Sequence, residues 1–249
     1  MARQKGIIKL DGTIGDITFY SSKDGKMARE KGGIDATRMK TDPAFKRTRE
    51  NGAEFGSAAS AAKLLRDSFR TLLATVRDSR MTARLTTIMT KIKALDSVSI
   101  RGERNVADGL QAPNAVNLIK GFNFNQNAIF RSVLNKAVLL NTATGSFTIN
   151  GLVPLKDVVF PNGATHLNLF GAWARVDFAA GSYTVEETNK INLLIDNMPA
   201  NVNLVVATPP TGGGYDFFVI GIEFLQEVNG SQYALRNGSF NALTILEVM

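Results

Sequence analysis

From Asn141 to its end the sequence breaks into short apolar runs separated by turn-forming residues. The runs are GSFTINGL, HLNLFGAWARVDF, SYTVEE, INLLID, VNLVVATP, YDFFVIGIEFLQEV, QYALR and ALTILEV. Gly, Pro, Asn or Asp punctuates most of the gaps, and closely spaced strands of this kind have few ways to bury their faces. The pattern predicts an antiparallel β-sandwich, jelly-roll or Ig-like, over residues 141–249. TPPTGGG reads as a surface loop. NGSQYAL and NGSFNAL predict two neighbouring strands entered by similar turns.

Upstream the texture is helical. Asp42-Pro43 reads as an N-cap followed by proline at the first helical position. The stretch DPAFKRTRENGAEFGSAASAAKLLRDSFRTLLATVRDS continues as helix, with a weak point at Asn51-Gly52. Phe55, Ala58, Ala62, Leu65, Phe69, Leu72 and Val76 alternate spacings of three and four, the rhythm of a helix laid along another helix. Alanines 58, 59, 61 and 62 would let a neighbouring backbone come close. A second helix over 81–95 offers Leu85, Ile88, Ile92 and Leu95. Asp78-Ser79 between them reads as a hinge and a new N-cap, so a helical hairpin is favoured over one long helix. Residues 97–140 read as a structured crossover, with a short helix after Pro113 in APNAVNLIK.

The first residues are different again. Gly6–Leu10, Asp16–Tyr20 and Lys26–Glu30, with turns at DGTIG and KDGK, predict a three-stranded meander. A sheet this small is marginal alone and must lie against something else. Gly32–Thr41 reads as an extended arm. The fold class is therefore α+β, in four segments: meander and arm (1–41), helical segment (42–96), crossover (97–140) and sandwich (141–249).

At 249 residues and 44% hydrophobic the chain can bury a real core, and with no cysteine it has no disulfide or thiolate chemistry. MARQKGIIKL has no apolar core of a signal peptide, and no stretch has the length of a transmembrane helix. This predicts a cytoplasmic protein, or one inside a particle assembled in the cell, with no membrane partner. The single histidine, His166, excludes a Cys-His pair and a multi-histidine zinc site within one chain. No G-x-S-x-G elbow or phosphate-binding loop occurs, and Glu186-Glu187 reads as a solvated pair. No catalytic residue, metal or cofactor is expected.

Charge is the sharpest remaining signal. Residues 1–105 hold 22 Lys/Arg against 12 Asp/Glu, and residues 106–249 hold 7 against 10. Lys63, Arg70, Arg77, Arg84 and Lys91 recur every seven residues, with Arg66 and Arg80 beside two of them. On one continuous helix they would form a ridge able to meet phosphates or the carboxylates of another subunit. An ordinary helix wearing its charges outward would give the same stripe. Arg38, Lys40, Lys46, Arg47 and Arg49 extend the positive region upstream.

GTIGDITFYSSKDGK, REKGG, DPAFKRTRENGAEFG and GFNFNQNA together resemble a group of proteins from Bacteroidota-type bacteria for which no activity is established. The resemblance covers roughly the first 130 residues and is strongest in the first 56. It implies a bacterial intracellular origin and carries over no functional residue.

The parts suggest a structural subunit of a symmetric or helical assembly, phage-, virion- or filament-like, that exchanges arms with its neighbours. Its strands would be exchanged through Ile17, Phe19 and Tyr20, its helical seam (Phe55 to Val76) would face another copy, and the partner would be itself. The alternatives are a packaging protein that binds nucleic acid non-specifically through the basic half, and a ligand- or carbohydrate-binding sandwich using Trp173 or Tyr215.

Overall fold

Where apolar residues are sparse and turn formers frequent, a chain can pair its backbone without burying much, and the N-terminal residues do this. A computed structural model describes residues 2–30, 36–76, 78–235 and 238–249. The chain divides into two compact units, Met1–Arg49 and Glu50–Met249.

In the first unit β1 (Ala2–Arg3), β2 (Gly12–Ile14), β3 (Ile17–Ser22) and β4 (Gly25–Glu30) form an antiparallel sheet in the order β1-β4-β3-β2. The expected three-stranded meander is thus four-stranded, and Gly6–Leu10 is not a strand. Consecutive Ile7 and Ile8 cannot both face a sheet interior. The Gln4 side chain spans the segment instead, accepting from Leu10 N (2.8 Å) and donating to Met27 O (3.0 Å). A two-residue turn, Gly15-Asp16, joins β2 to β3, and Gly15 adopts φ +58°, which a side chain would oppose.

The expected arm is partly helical: α1 spans Ala36–Thr41, while residues 31–35 lie outside the described part. Arg38 pairs one turn on with Asp42 (3.0 Å), and Arg49 donates to the Met39 and Asp42 carbonyls (2.9 Å each), which favours helix over extended chain. Asp42 caps a 3₁₀ turn at Pro43–Phe45 by accepting from Ala44 N (2.9 Å), as read from sequence. Within 2–49, no described side chain is buried.

The next helix, α2 (Lys46–Ser68), runs unbroken through Asn51-Gly52, so the expected weak point does not exist. The break lies at Phe69 (φ −111°, ψ 22°), before the single turn α3 (Arg70–Leu73). Then α4 spans Met81–Lys93. Glu54 meets Lys93 at one end of the pair, and Arg66 meets Thr82 at the other. That crossing pattern defines an antiparallel hairpin, as expected. Between the helices and the sheets lie α5 (Val106–Gly109), a 3₁₀ turn at Ala115–Leu118 and α6 (Phe130–Val133).

Each of the eight predicted runs contains a strand. After β5 (Leu139–Asn141), which the sequence did not reveal, come β6 (Ser146–Leu152), the turn α7 (Pro154–Asp157), β7 (His166–Asp177), β8 (Ser182–Glu187) and β9 (Ile191–Leu194). Then follow β10 (Ala200–Leu204), β11 (Tyr215–Val228), β12 (Ser231–Ala234) and β13 (Ala242–Val248). Six form a curled antiparallel sheet, β12-β11-β7-β8, with β13 also on β11 and β9 also on β7. A three-stranded sheet, β10-β6-β5, packs against it. β12 and β13 do not pair with each other but lie end to end along β11, so the repeated NGS entries lead to one shared edge.

Alternation along β7 shows the layering. Leu167, Leu169 and Trp173 face the small sheet, packing with Phe147, Ile149, Val202 and Leu204. Phe170, Ala172, Ala174 and Val176 face the helices, packing with Ala58, Leu65, Leu85 and Met89. The helical hairpin is therefore a third layer on the sandwich. Fully burying each such large aliphatic side chain contributes about 1.5–3 kcal/mol.

Two features are open to test. A Cβ on Gly221 would sit 2.5 Å from the Phe170 ring and 3.0 Å from Leu243 Cδ1. Gly221→Ala should lower unfolding free energy by about 1–3 kcal/mol in urea titration. The second is the buried Asp96, which accepts from Val98 N (2.9 Å), Ser99 N (2.9 Å) and Asn105 N (3.1 Å). Burial pushes its pKa up, but these amides and the Ser99 hydroxyl outweigh it and hold the carboxyl at about 2. A pKa depressed in the folded state stabilises above the unfolded value near ~3.9 and is lost as pH falls through 2. Asp96→Asn should therefore destabilise at pH 7 and flatten the acid limb of the stability–pH curve between those values.

Candidate assembly surfaces

The helical seam is spent inside its own chain. Ala58, Ala62, Leu65, Phe69 and Leu72 are buried, Val76 is half-buried, and only Phe55 stands exposed, at 59%. The sheet residues Phe170, Val219 and Ile245 share the seam's core, so, Phe55 apart, it is not the surface for another copy that the sequence suggested.

The basic stripe also divides. The break at Phe69 and the reversal into α4 split Lys63, Arg66 and Arg70 from Arg80, Arg84 and Lys91, so no single ridge forms. Arg84 turns inward, to Asp78 (2.6 Å), the Asn123 carbonyl (2.8 Å) and the Phe122 ring (4.9 Å). Arg66 donates to Thr82. Arg77 lies outside the described residues. Lys63, Arg70, Arg80 and Lys91 remain exposed, as do Lys40, Lys46 and Arg47 upstream. Arg38 is also exposed, bound to Asp42 with its guanidinium over Phe45, and Arg49 is half-buried.

What does lie open is the N-terminal sheet. Ile14 and Ile17 pair across the turn and so share a face with Phe19; Thr13 and Thr18 bond to each other on the opposite face. Ile14 is 61% and Ile17 45% exposed, and Ile7 is wholly so. Phe19 and Tyr20 are half-buried, with Arg29 over the Tyr20 ring (5.5 Å). Sequence reasoning picked Ile17, Phe19 and Tyr20 but missed Ile7, Ile8 and Ile14. The signal for Ile7 and Ile8 was an apolar pair between lysines in KGIIKL, with no period that could bury it. Asp16, at the turn, is exposed.

The second unit has an open side. One flank of its two sheets is bridged, Thr188 pairing with Val206. On the other, a cleft of about 480 Å³ lies between β13 and residues 129–138, the lead into β5. Ile129, Leu134, Val138 and Leu246 line it, with Lys120, Arg131 and Lys136 around it. Lys120 is bound to Glu247 (2.6 Å) and Lys136 to Asp157 (3.4 Å), whereas Arg131 is exposed and makes no ion pair with a described residue. No spacing in the sequence could reveal this cleft, because its walls come from stretches far apart in the chain.

The other candidates are internally satisfied. His166 Nδ1 meets Thr165 Oγ1 (2.9 Å), and its Nε2 lies 3.6 Å from Glu227. Nearby, Asn168 and Lys190 both bond to Glu223 (2.8 and 3.0 Å), and Asn192 links Asn168 to Gln232. Trp173 is buried against Phe218 with its indole N–H on Asp216 (2.7 Å), so it offers no platform to a ligand. Burial raises the Tyr215 phenol. Among the described residues no three His, Asp or Glu side chains cluster as metal ligands, and no helix is long and apolar enough to cross a membrane. Compared with protein-family models, curated proteins and solved structures, the chain matches none.

The inward turn of Arg84 has a measurable consequence. Arg84→Ala should cost about 1–3 kcal/mol of unfolding free energy by removing charged hydrogen bonds from a partly buried carboxylate, whereas Lys91→Ala should stay within about 0.5 kcal/mol.

Proposed function

We propose that the protein is a self-assembling structural subunit, of a ring, filament or shell, with no catalytic role. The observation that carries this reading is the N-terminal unit, whose described side chains include not one that is buried. Isoleucines left this open are stabilised when another surface covers them, and short sheet edges invite pairing. The two-unit division supports the same view, because it leaves the C-terminal core independent of the part that would be shared. Assembly would take place in the cytoplasm or in a particle built there, which suits a chain without cysteine.

A second reading, electrostatic attachment to nucleic acid, is favoured by the exposed Lys63, Arg70, Arg80 and Lys91 and, upstream, Lys40, Lys46 and Arg47. It would show as a steep fall of affinity with salt and no sequence preference.

Deleting residues 1–41 should leave a cooperative thermal transition while abolishing large particles in sedimentation velocity and negative-stain images. Thr18→Pro should act similarly, because Thr18 sits in the interior strand β3, paired with Thr13 and Arg29, where proline removes a ladder donor. Unchanged particles after truncation, or loss of the transition, would overturn the reading.

A further inference from the structure

The tip of the β2–β3 turn and the open cleft carry opposite charges. Residues 11–20, DGTIGDITFY, carry carboxylates and no cation. Of these, Asp11 is bound to Lys26 (3.1 Å), which leaves Asp16 at the tip of the β2–β3 turn. Ile14 and Ile17 flank it on one face, both exposed. The tip is thus a narrow projection of two aliphatic side chains and one carboxylate. The cleft is the converse: an apolar floor of Leu134, Val138 and Leu246 beside the exposed Arg131. Its volume of about 480 Å³ has room for both isoleucines.

We infer that the Ile14-Gly15-Asp16-Ile17 turn of one copy docks in the β13–α6 cleft of the next, with Asp16 paired to Arg131. The inference rests on the assembly reading and names its donor and acceptor. Lys120 and Lys136 are already neutralised by Glu247 and Asp157, so the incoming carboxylate is directed to Arg131. A guanidinium is suited to that role, since it can hold a carboxylate with two parallel hydrogen bonds. Among the described strands β5 pairs with β6 alone, so backbone groups on its edge beside the cleft can meet the arriving hairpin as well. Donor and acceptor are different surfaces of one chain. The contact is therefore heterologous and repeats from copy to copy, giving a ring if the rotation closes and a filament if it does not.

Charge exchange tests this. Full-length wild type, Asp16→Arg, Arg131→Asp and the double variant are compared by sedimentation velocity across a concentration series, against a chain mass of 26.9 kDa. Thermal unfolding of each variant is followed in parallel to show that the C-terminal unit is intact. Wild type should form oligomers, and each single variant should raise the dissociation constant at least tenfold. The double variant should reassemble. So should an equimolar mixture of the two single variants, because their substituted positions then face each other with opposite charges and the converse pair is wild type. Oligomers unchanged in either single variant, or a mixture that stays dissociated, would overturn the tip-in-cleft contact while leaving assembly standing. A wild-type chain that stays monomeric at every concentration would overturn assembly and this contact together.

Discussion

The structure depends on one pair of strands buried on both sides. β7 and β11 pair in unbroken register from Tyr215–Val176 to Leu225–His166, and their side chains serve two cores in alternation. Such a pair cannot face water on either side, so it requires a layer above and a layer below. The three-stranded sheet supplies one and the helical hairpin the other. That requirement is what consumes the helical seam: Leu65, Phe69 and Leu72 cover Phe170 and Val219 before any second molecule can reach them.

The same requirement governs the polar groups near the sheet. Where the helices do not extend, the helix-facing side of β7 and β11 carries Asn168 and Glu223, both almost fully buried. A buried polar group without a partner is costly, and here Lys190 and Asn192 complete the bonding. On the other side of the sheet Arg175 grips Asp216 with two bonds of 2.8 Å while Trp173 adds a third from its indole. The bond to Asp216 raises the Arg175 pKa further. Many charges that a formal count presents as available for a partner are thus bound within the fold. Arg84 and Lys93 are further cases.

The N-terminal unit has the opposite character. Its backbone is paired through four strands, yet its apolar residues find no interior. A small sheet encloses too little volume for its surface to supply a core. The contrast between a unit with a buried core and a unit without one is what our proposal of a subunit rests on.

The sequence by itself determined the local elements. Strand period, turn residues and caps act over a few neighbours, which is why eight strands, the Asp42 cap, the second helix at Met81 and the hairpin reversal could be read directly. Where local signals were weak they misled. Gly6–Leu10 had strand composition but no partner, and Asn51-Gly52 was carried through by the helix on both sides. Part of the supposed arm became helix through the reach of Arg38 and Arg49 to backbone and carboxylate groups several residues away. Tertiary structure alone decided which apolar faces stay open. A heptad seam looks the same in sequence whether it meets its own sheet or another molecule, and only packing assigned Ala58 to Leu72 to the interior. The cleft beside β13 likewise exists only because Lys120, Arg131 and Leu246, far apart in sequence, are brought together by the fold. Periodicity specifies a face, but which surface covers that face is settled by the whole chain at once.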